Sequence, residues 1–191
     1  MLSMRSWMRR LPRWCVTALL LWLGAGALAW WTGLRINTTA SLPVGLYRTV
    51  NEHDHVGMTR WARGAIVLWC PPDTPLFQSA KARGYIAAGW CPGQLGYLIK
   101  RVAALSGDMV SVGPGGVHVN GEFVPSTVPL TQDASGRSLP ATVIASHRLT
   151  QDEVLLLADG SLQSFDGRYF GLIPISQLKA ELRPVFTTPG R

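Results

Sequence analysis

From Trp14 to Trp31 the chain reads WCVTALLLWLGAGALAWW, 18 residues without a charge. Such a run is at the lower end of what crosses a bilayer as a helix, because about 20 apolar residues rising about 1.5 Å each match a hydrocarbon core of about 30 Å. Arg5, Arg9, Arg10 and Arg13 precede the run, and on its other side only Arg35 stands close. Positive charge stays on the cytoplasmic side of a membrane. Residues 1–13 are therefore expected to form a cytoplasmic basic tail, 14–33 a transmembrane anchor and 34–191 an exported domain. Ala27, Leu28 and Ala29 form a small-x-small pattern, which leaves a cleaved leader as the alternative. Bulky Trp30 and Trp31 just past that cut fit an interfacial belt and favour the anchor. Either way the remainder is exported.

A chain of 191 residues suffices for one domain with a real core plus an appendage. The net charge is +7, but the four early arginines come before any acidic residue, the first of which is Glu52. Beyond them the basic residues are scattered and form no patch interleaved with aromatics, so no nucleic-acid partner is expected. Cysteines occur at 15, 70 and 91 without metal spacing. In an exported domain Cys70 and Cys91 are candidates for a disulfide, and two buried free thiols fit the spacing nearly as well. His53, Asp54 and His55 read as a solvated loop, since adjacent side chains point apart and no third ligand has suitable spacing. No metal and no cofactor are expected.

Residues 64–69 (GAIVLW) and 97–102 (YLIKRV) are apolar, β-branched runs that read as strands, and the composition of 75–88 predicts a helix between them. Residues 109–112 and 117–120 flank Gly-Pro-Gly-Gly as a hairpin, Asn120-Gly121 marks another turn, and 154–158 is a further strand. Residues 125–140 are polar, without periodicity, and read as a surface loop. Many short strands with one helix make a mainly β domain, barrel-like in its pattern, behind the apolar segment.

Lys100 is one of three lysines and stands among Leu98, Ile99 and Val102. Held in low dielectric, a lysine loses its preference for the ammonium, and its pKa falls from about 10.4 toward neutrality. Alternation along the strand can equally turn it outward, as is usual for lysine. Ser41 lies in TTASLPVGLY, a small-residue stretch that turns at proline and glycine. A serine hydroxyl becomes a nucleophile when a neighbouring base takes its proton, and a neutral lysine can do this. Alone, Ser41 is a turn serine. No Gly-x-Ser-x-Gly elbow is present for Ser-His-Asp chemistry.

The order of short boxes is more specific. Ser-Leu-Pro at 41–43, Arg-Gly-x-Ile-Val at 63–67, KRVAALSGD at 100–108, Val-Asn-Gly at 119–121 and SFDGRYFG at 164–171 follow one another along nearly the whole exported part. This succession resembles the type I signal peptidases. The single residue between serine and proline, together with CPPDTP and WCPGQ around the helix, is similar to their conjugative-transfer branch, TraF. The resemblance implies a β-rich catalytic domain with Ser41 as nucleophile, Lys100 as general base and Ser164 orienting the lysine. It further implies an oxyanion hole from the Ser41 backbone N–H and the Thr39 hydroxyl, with Asp166 and Arg168 as a structural pair. The implied partner is a membrane-tethered precursor, a pilin or related secreted protein, cut after a small residue, with the acyl-enzyme resolved by water or, as in some conjugative members, by ring closure. The implied place is the inner membrane, single-pass, facing the periplasm, so the bilayer is a partner too. Ala65 replaces the aspartate of Arg-Gly-Asp, and Ala158-Asp159-Gly160 stands for Gly-Asp-Asn, keeping Asp159 as a supporting aspartate. These departures fit a specialised processing enzyme. A non-catalytic, membrane-anchored scaffold of an export or conjugation channel is the competing class, and it has no need for Ser41, Lys100 and Ser164 together.

Overall fold

The computed structural model describes residues 12–50, 61–158 and 161–188. Asp159, the His53 to His55 run and residues 1–11 of the basic tail lie outside the described residues. Helix α1 (Arg13–Trp31) leads into β1 (Leu34–Asn37) through a two-residue turn. Its Leu19, Leu21 and Trp22 side chains are exposed. Among the described residues no helix is long and apolar enough to cross a membrane. The anchor expected over 14–33 is therefore not established by the fold; the helix has 19 residues and stops at Trp31.

Beyond α1 the chain is built from β1, β2 (Gly45–Thr49), β3 (Ile66–Trp69), α2 (Pro75–Ala82), β4 (Ala88–Cys91), β5 (Leu98–Ala104), β6 (Met109–Gly113), β7 (Gly116–Val119), β8 (Glu122–Val124), β9 (Ile144–Arg148), β10 (Glu153–Leu157), α3 (Gly167–Phe170), β11 (Ile173–Pro174) and β12 (Leu178–Thr187). A seven-stranded sheet has the order β1-β2-β12-β3-β5-β10-β11, and a four-stranded sheet the order β8-β7-β6-β9. The mainly β expectation holds, as two sheets. The strands expected at 64–69, 97–102, 109–112, 117–120 and 154–158 are β3, β5, β6, β7 and β10. Asn120 and Gly121, both at positive φ, make the tight turn from β7 into β8. Residues 125–140 carry no strand or helix.

Four elements differ from expectation for local reasons. The helix expected over 75–88 ends at Ala82, because Gly84 takes a left-handed φ of 81° and the chain turns into β4. β12 was invisible in the pattern: its ten residues alternate poorly, and Pro184 sits beside a register shift, paired with Tyr47 on β2 but past the last β3 partner. β1 and β2 are too short to show periodicity, yet Asn37 pairs with Gly45 and closes the loop that carries Ser41. Gly45 is required there, since a Cβ would lie 2.2 Å from the Phe186 carbonyl oxygen on β12.

The core is divided. An aromatic cluster of Trp69, Phe77, Phe165 and Tyr169 packs α2 and α3 against β3 and β10, with Trp69 and Phe170 ring centroids 5.2 Å apart. Val110, Val112, Val117 and Val119 form the interior of the smaller sheet with Leu155 and Leu157. Leu42, Tyr47, Ile66, Leu68 and Leu182 make a third cluster beneath the Ser41 loop. Cys70 and Cys91 are joined in a disulfide, their Cα atoms 5.6 Å apart, and this ties together the ends of the excursion bearing α2.

Candidate active site

Along β5 every second residue from Lys100 is buried, so Lys100, Val102 and Ala104 face inward. The outward alternative for Lys100 is thus excluded. Val67 of β3 is its antiparallel partner, and only 2% of Lys100 is exposed. The interior around it contains two hydroxyls. Lys100 Nζ lies 3.0 Å from Ser41 Oγ and 2.9 Å from Ser164 Oγ, and the two serine oxygens are 2.6 Å apart. Residues 41, 100 and 164 come from the β1–β2 loop, β5 and the segment before α3, and close into one triangle of hydrogen bonds.

Burial disfavours the ammonium and is the largest influence on Lys100. The Asp166 carboxylate pulls the other way and Arg168 adds to the lowering, so the amine falls from about 10.5 to about 8. With the amine neutral, the triangle closes in either of two senses; in one of them Ser41 O–H donates to Nζ, an Nζ hydrogen donates to Ser164 Oγ, and Ser164 O–H donates to Ser41 Oγ. In that sense each donor has one acceptor, and the Ser41 hydroxyl hydrogen points at the amine.

Asp166 and Arg168 are each 1% exposed and form a two-pronged pair, Nε to Oδ1 at 2.7 Å and Nη2 to Oδ2 at 2.9 Å. A buried charge without such pairing is strongly unfavourable. Arg168 Nη2 also donates to the carbonyls of Ser161, at 3.0 Å, and Ser164, at 2.9 Å, while Asp166 accepts the Ala158 N–H at 3.1 Å. The pair therefore holds the backbone on which Ser164 is mounted. Gly167 lets α3 lie close to β10, where a Cβ would come 2.8 Å from the Leu156 carbonyl oxygen.

The family model described as "Signal peptidase, peptidase S26" matches residues 5–187. This chain belongs to that signal peptidase family. It is 49% identical to a plasmid transfer protein TraF of Escherichia coli over 90% of both chains. To a probable conjugal transfer protein TraF of Sinorhizobium fredii it is 39% identical, over 86% of this chain and 83% of the other. Its branch within the signal peptidases is the TraF type. A crystal structure of a signal peptidase I from Enterococcus faecalis V583 aligns at 16% identity and a TM-score of 0.37, covering 65% of this chain and 98% of that one.

Two features of this signal peptidase were not read from its sequence. Asp108, the last residue of the KRVAALSGD box, accepts hydrogen bonds from the Arg63 guanidinium, from Asn120 Nδ2 at 3.0 Å and from the Leu105 N–H at 2.9 Å. Three of the boxes are thus one knot in space, joining the approach to β3, the β5–β6 turn and the β7–β8 turn. The second is Asn37, 4% exposed, whose amide is bonded throughout to the loop from Thr39 to Pro43. An asparagine two residues before a threonine and near a proline is the turn-forming signal by which it could be found in the sequence. Thr39 is exposed in the same loop as Ser41.

Proposed function

We propose that this signal peptidase is a membrane-anchored serine endopeptidase that cuts exported, membrane-tethered precursors after small residues, with Ser41 as nucleophile and Lys100 as general base. The single observation that carries this reading is the buried lysine within 3.0 Å of Ser41 Oγ. Neutral Lys100 takes the Ser41 proton as Oγ attacks the carbonyl carbon of the scissile bond. The oxyanion is met by the Ser41 N–H and the Thr39 hydroxyl. The Lys100 ammonium then protonates the departing amine, whose C–N bond breaks, leaving an acyl-enzyme on Ser41. A water, or the precursor's own amine, gives a proton to Lys100 and attacks that ester; the second route closes a ring. At pH 7 an amine of pKa about 8 is neutral in about one molecule in ten, enough to act as a base.

The names of the relatives, plasmid transfer and conjugal transfer proteins, support a precursor used in conjugation, with a pilin as the substrate class. Support for the bilayer comes from α1, which has no charged residue from Trp14 to Trp31 and leaves Leu19, Leu20, Leu21 and Trp22 exposed, a pattern suited to lipid rather than water. Exposed Ile36 and Phe186 both neighbour Leu46 across β1, β2 and β12, next to the start of the domain, so the sheet edge that follows α1 is apolar as well. The catalytic domain then faces the periplasm, where the disulfide is compatible with the redox conditions.

The test is to express the full chain with the cognate pilin precursor and follow the precursor by mass spectrometry. Ser41→Ala and Lys100→Ala are each expected to leave the precursor uncut while the protein stays in the membrane fraction. Near-normal cleavage by either variant sinks the dyad.

A further inference from the structure

Asn37 is the last residue of β1 and is nearly sealed from solvent. Its Nδ2 lies 3.0 Å from the Thr39 carbonyl oxygen, 3.0 Å from that of Leu42 and 3.2 Å from that of Pro43. Its Oδ1 accepts the Thr39 backbone N–H at 3.1 Å and the Thr39 hydroxyl at 2.9 Å. Three carbonyls on one side and an N–H on the other leave the amide a single orientation. One side chain thus spans both sides of Ser41 in sequence. Tyr47, fully buried, adds a second brace by donating its hydroxyl to the Pro43 carbonyl at 2.6 Å.

We infer that Asn37 is a positioning residue for the cleavage step: it fixes the turn bearing Ser41 and holds the Thr39 hydroxyl ready, releasing that O–H to the substrate's oxyanion. The inference rests on the serine/lysine reading and deepens it. In the resting enzyme the Thr39 O–H points at Asn37 Oδ1. As negative charge develops on the carbonyl oxygen, rotation about the Thr39 Cβ–Oγ1 bond redirects the same hydrogen, and no proton leaves threonine. Oδ1 keeps the Thr39 N–H, so it is not stripped of partners when the hydroxyl departs. A charged acceptor outcompetes a neutral amide oxygen for one donor, so the switch runs forward only when the tetrahedral intermediate forms. Asn37 therefore acts through Thr39 and touches neither the substrate nor Lys100.

This predicts coupling rather than mere loss of stability. The full chain in detergent micelles is assayed on an internally quenched peptide with alanine before the scissile bond, using Thr39→Ser, Thr39→Val, Asn37→Ala and the pair Asn37→Ala/Thr39→Val. Thr39→Ser retains the donor and is expected to stay within about threefold of wild type, whereas Thr39→Val loses on the order of 100-fold in kcat with little change in KM. Asn37→Ala is expected to lose about 100-fold, and the double variant to be no slower than about the slower single rather than slower by the product. The acid limb of the rate profile should remain near pH 8 in Asn37→Ala, because Lys100 is untouched. Should Asn37→Ala fail to fold by circular dichroism, the isosteric Asn37→Asp takes its place, since it keeps an oxygen toward Thr39 but sets a second one against the Leu42 and Pro43 carbonyls. Multiplicative losses in the cycle, or full kcat in a folded Asn37 variant, overturn the inference while an inactive Ser41→Ala leaves the dyad standing. Cleavage by Ser41→Ala overturns both.

Discussion

Lys100 is a stability defect that the fold tolerates, and replacing it by methionine exposes the size of that defect. The unfolded chain keeps the lysine proton up to about pH 10.5, the folded chain only to about pH 8. Between these values the unfolded state binds more protons, so the wild type gains stability as pH rises through the window; below pH 8 both states are charged and the penalty is present in full. At about 1.4 kcal/mol for each tenfold change in acidity, the penalty is about 3 kcal/mol. Lys100→Met, of similar length and unbranched, removes it. The substitution also removes hydrogen bonds to Ser41 and Ser164, each a net contribution of about 1 kcal/mol, although the two hydroxyls remain partners at 2.6 Å. At pH 6 the variant is therefore expected to be inactive yet more stable than wild type by about 1 kcal/mol, and at pH 10 less stable, the wild type having gained about 2 to 3 kcal/mol on the variant. Urea unfolding of both full chains in detergent, followed by tryptophan fluorescence at pH 6 and pH 10, measures this. A stability difference that is the same at both pH values refutes the claim that Lys100 is held against its charge.

Cleavage should rise tenfold per pH unit below about pH 8 and then level off, and Lys100→Arg should be inactive throughout, because guanidinium does not deprotonate in this range; an unchanged profile in that variant means another base acts. Replacing Cys70 and Cys91 together by alanine opens a closure of 21 residues and is expected to destabilise the domain by about 3 kcal/mol in urea unfolding without reducing agent, and an unshifted midpoint counts against the bridge. Phenylalanine in place of the small residue before the scissile bond should stop processing of the precursor, and equal rates for the two substrates, read by mass spectrometry, would show that no small pocket governs the choice of bond.

The parts of this site legible in the sequence are those that depend on order along the chain, and the illegible parts depend on what covers what. Ser41, Lys100 and Ser164 can be named from boxes because each box also makes the local turn or strand that presents its residue: proline after Ser41, the β5 run around Lys100, the α3 turn after Ser164. Whether Lys100 is buried is another matter. A strand has two faces, and only the arrival of the loop after β1 and the segment before α3, 59 and 64 residues away in sequence, makes one of them an interior. The lowered pKa belongs to that cover and not to β5. Thr39 shows the same division, since its place two residues before Ser41 is readable, whereas its partner Asn37 matters only because β1 pairs with β2 and brings Asn37 opposite Gly45. β1 has four residues and β2 five, too few for a period to declare itself, and β12, which locks β2 to the rest of the sheet, has its alternation broken near Pro184. The geometry that makes the serine usable thus rests on the three strands whose own sequences say least, so substitutions in β12 that spare every box should still reach Ser41 through Gly45 and the loop it closes.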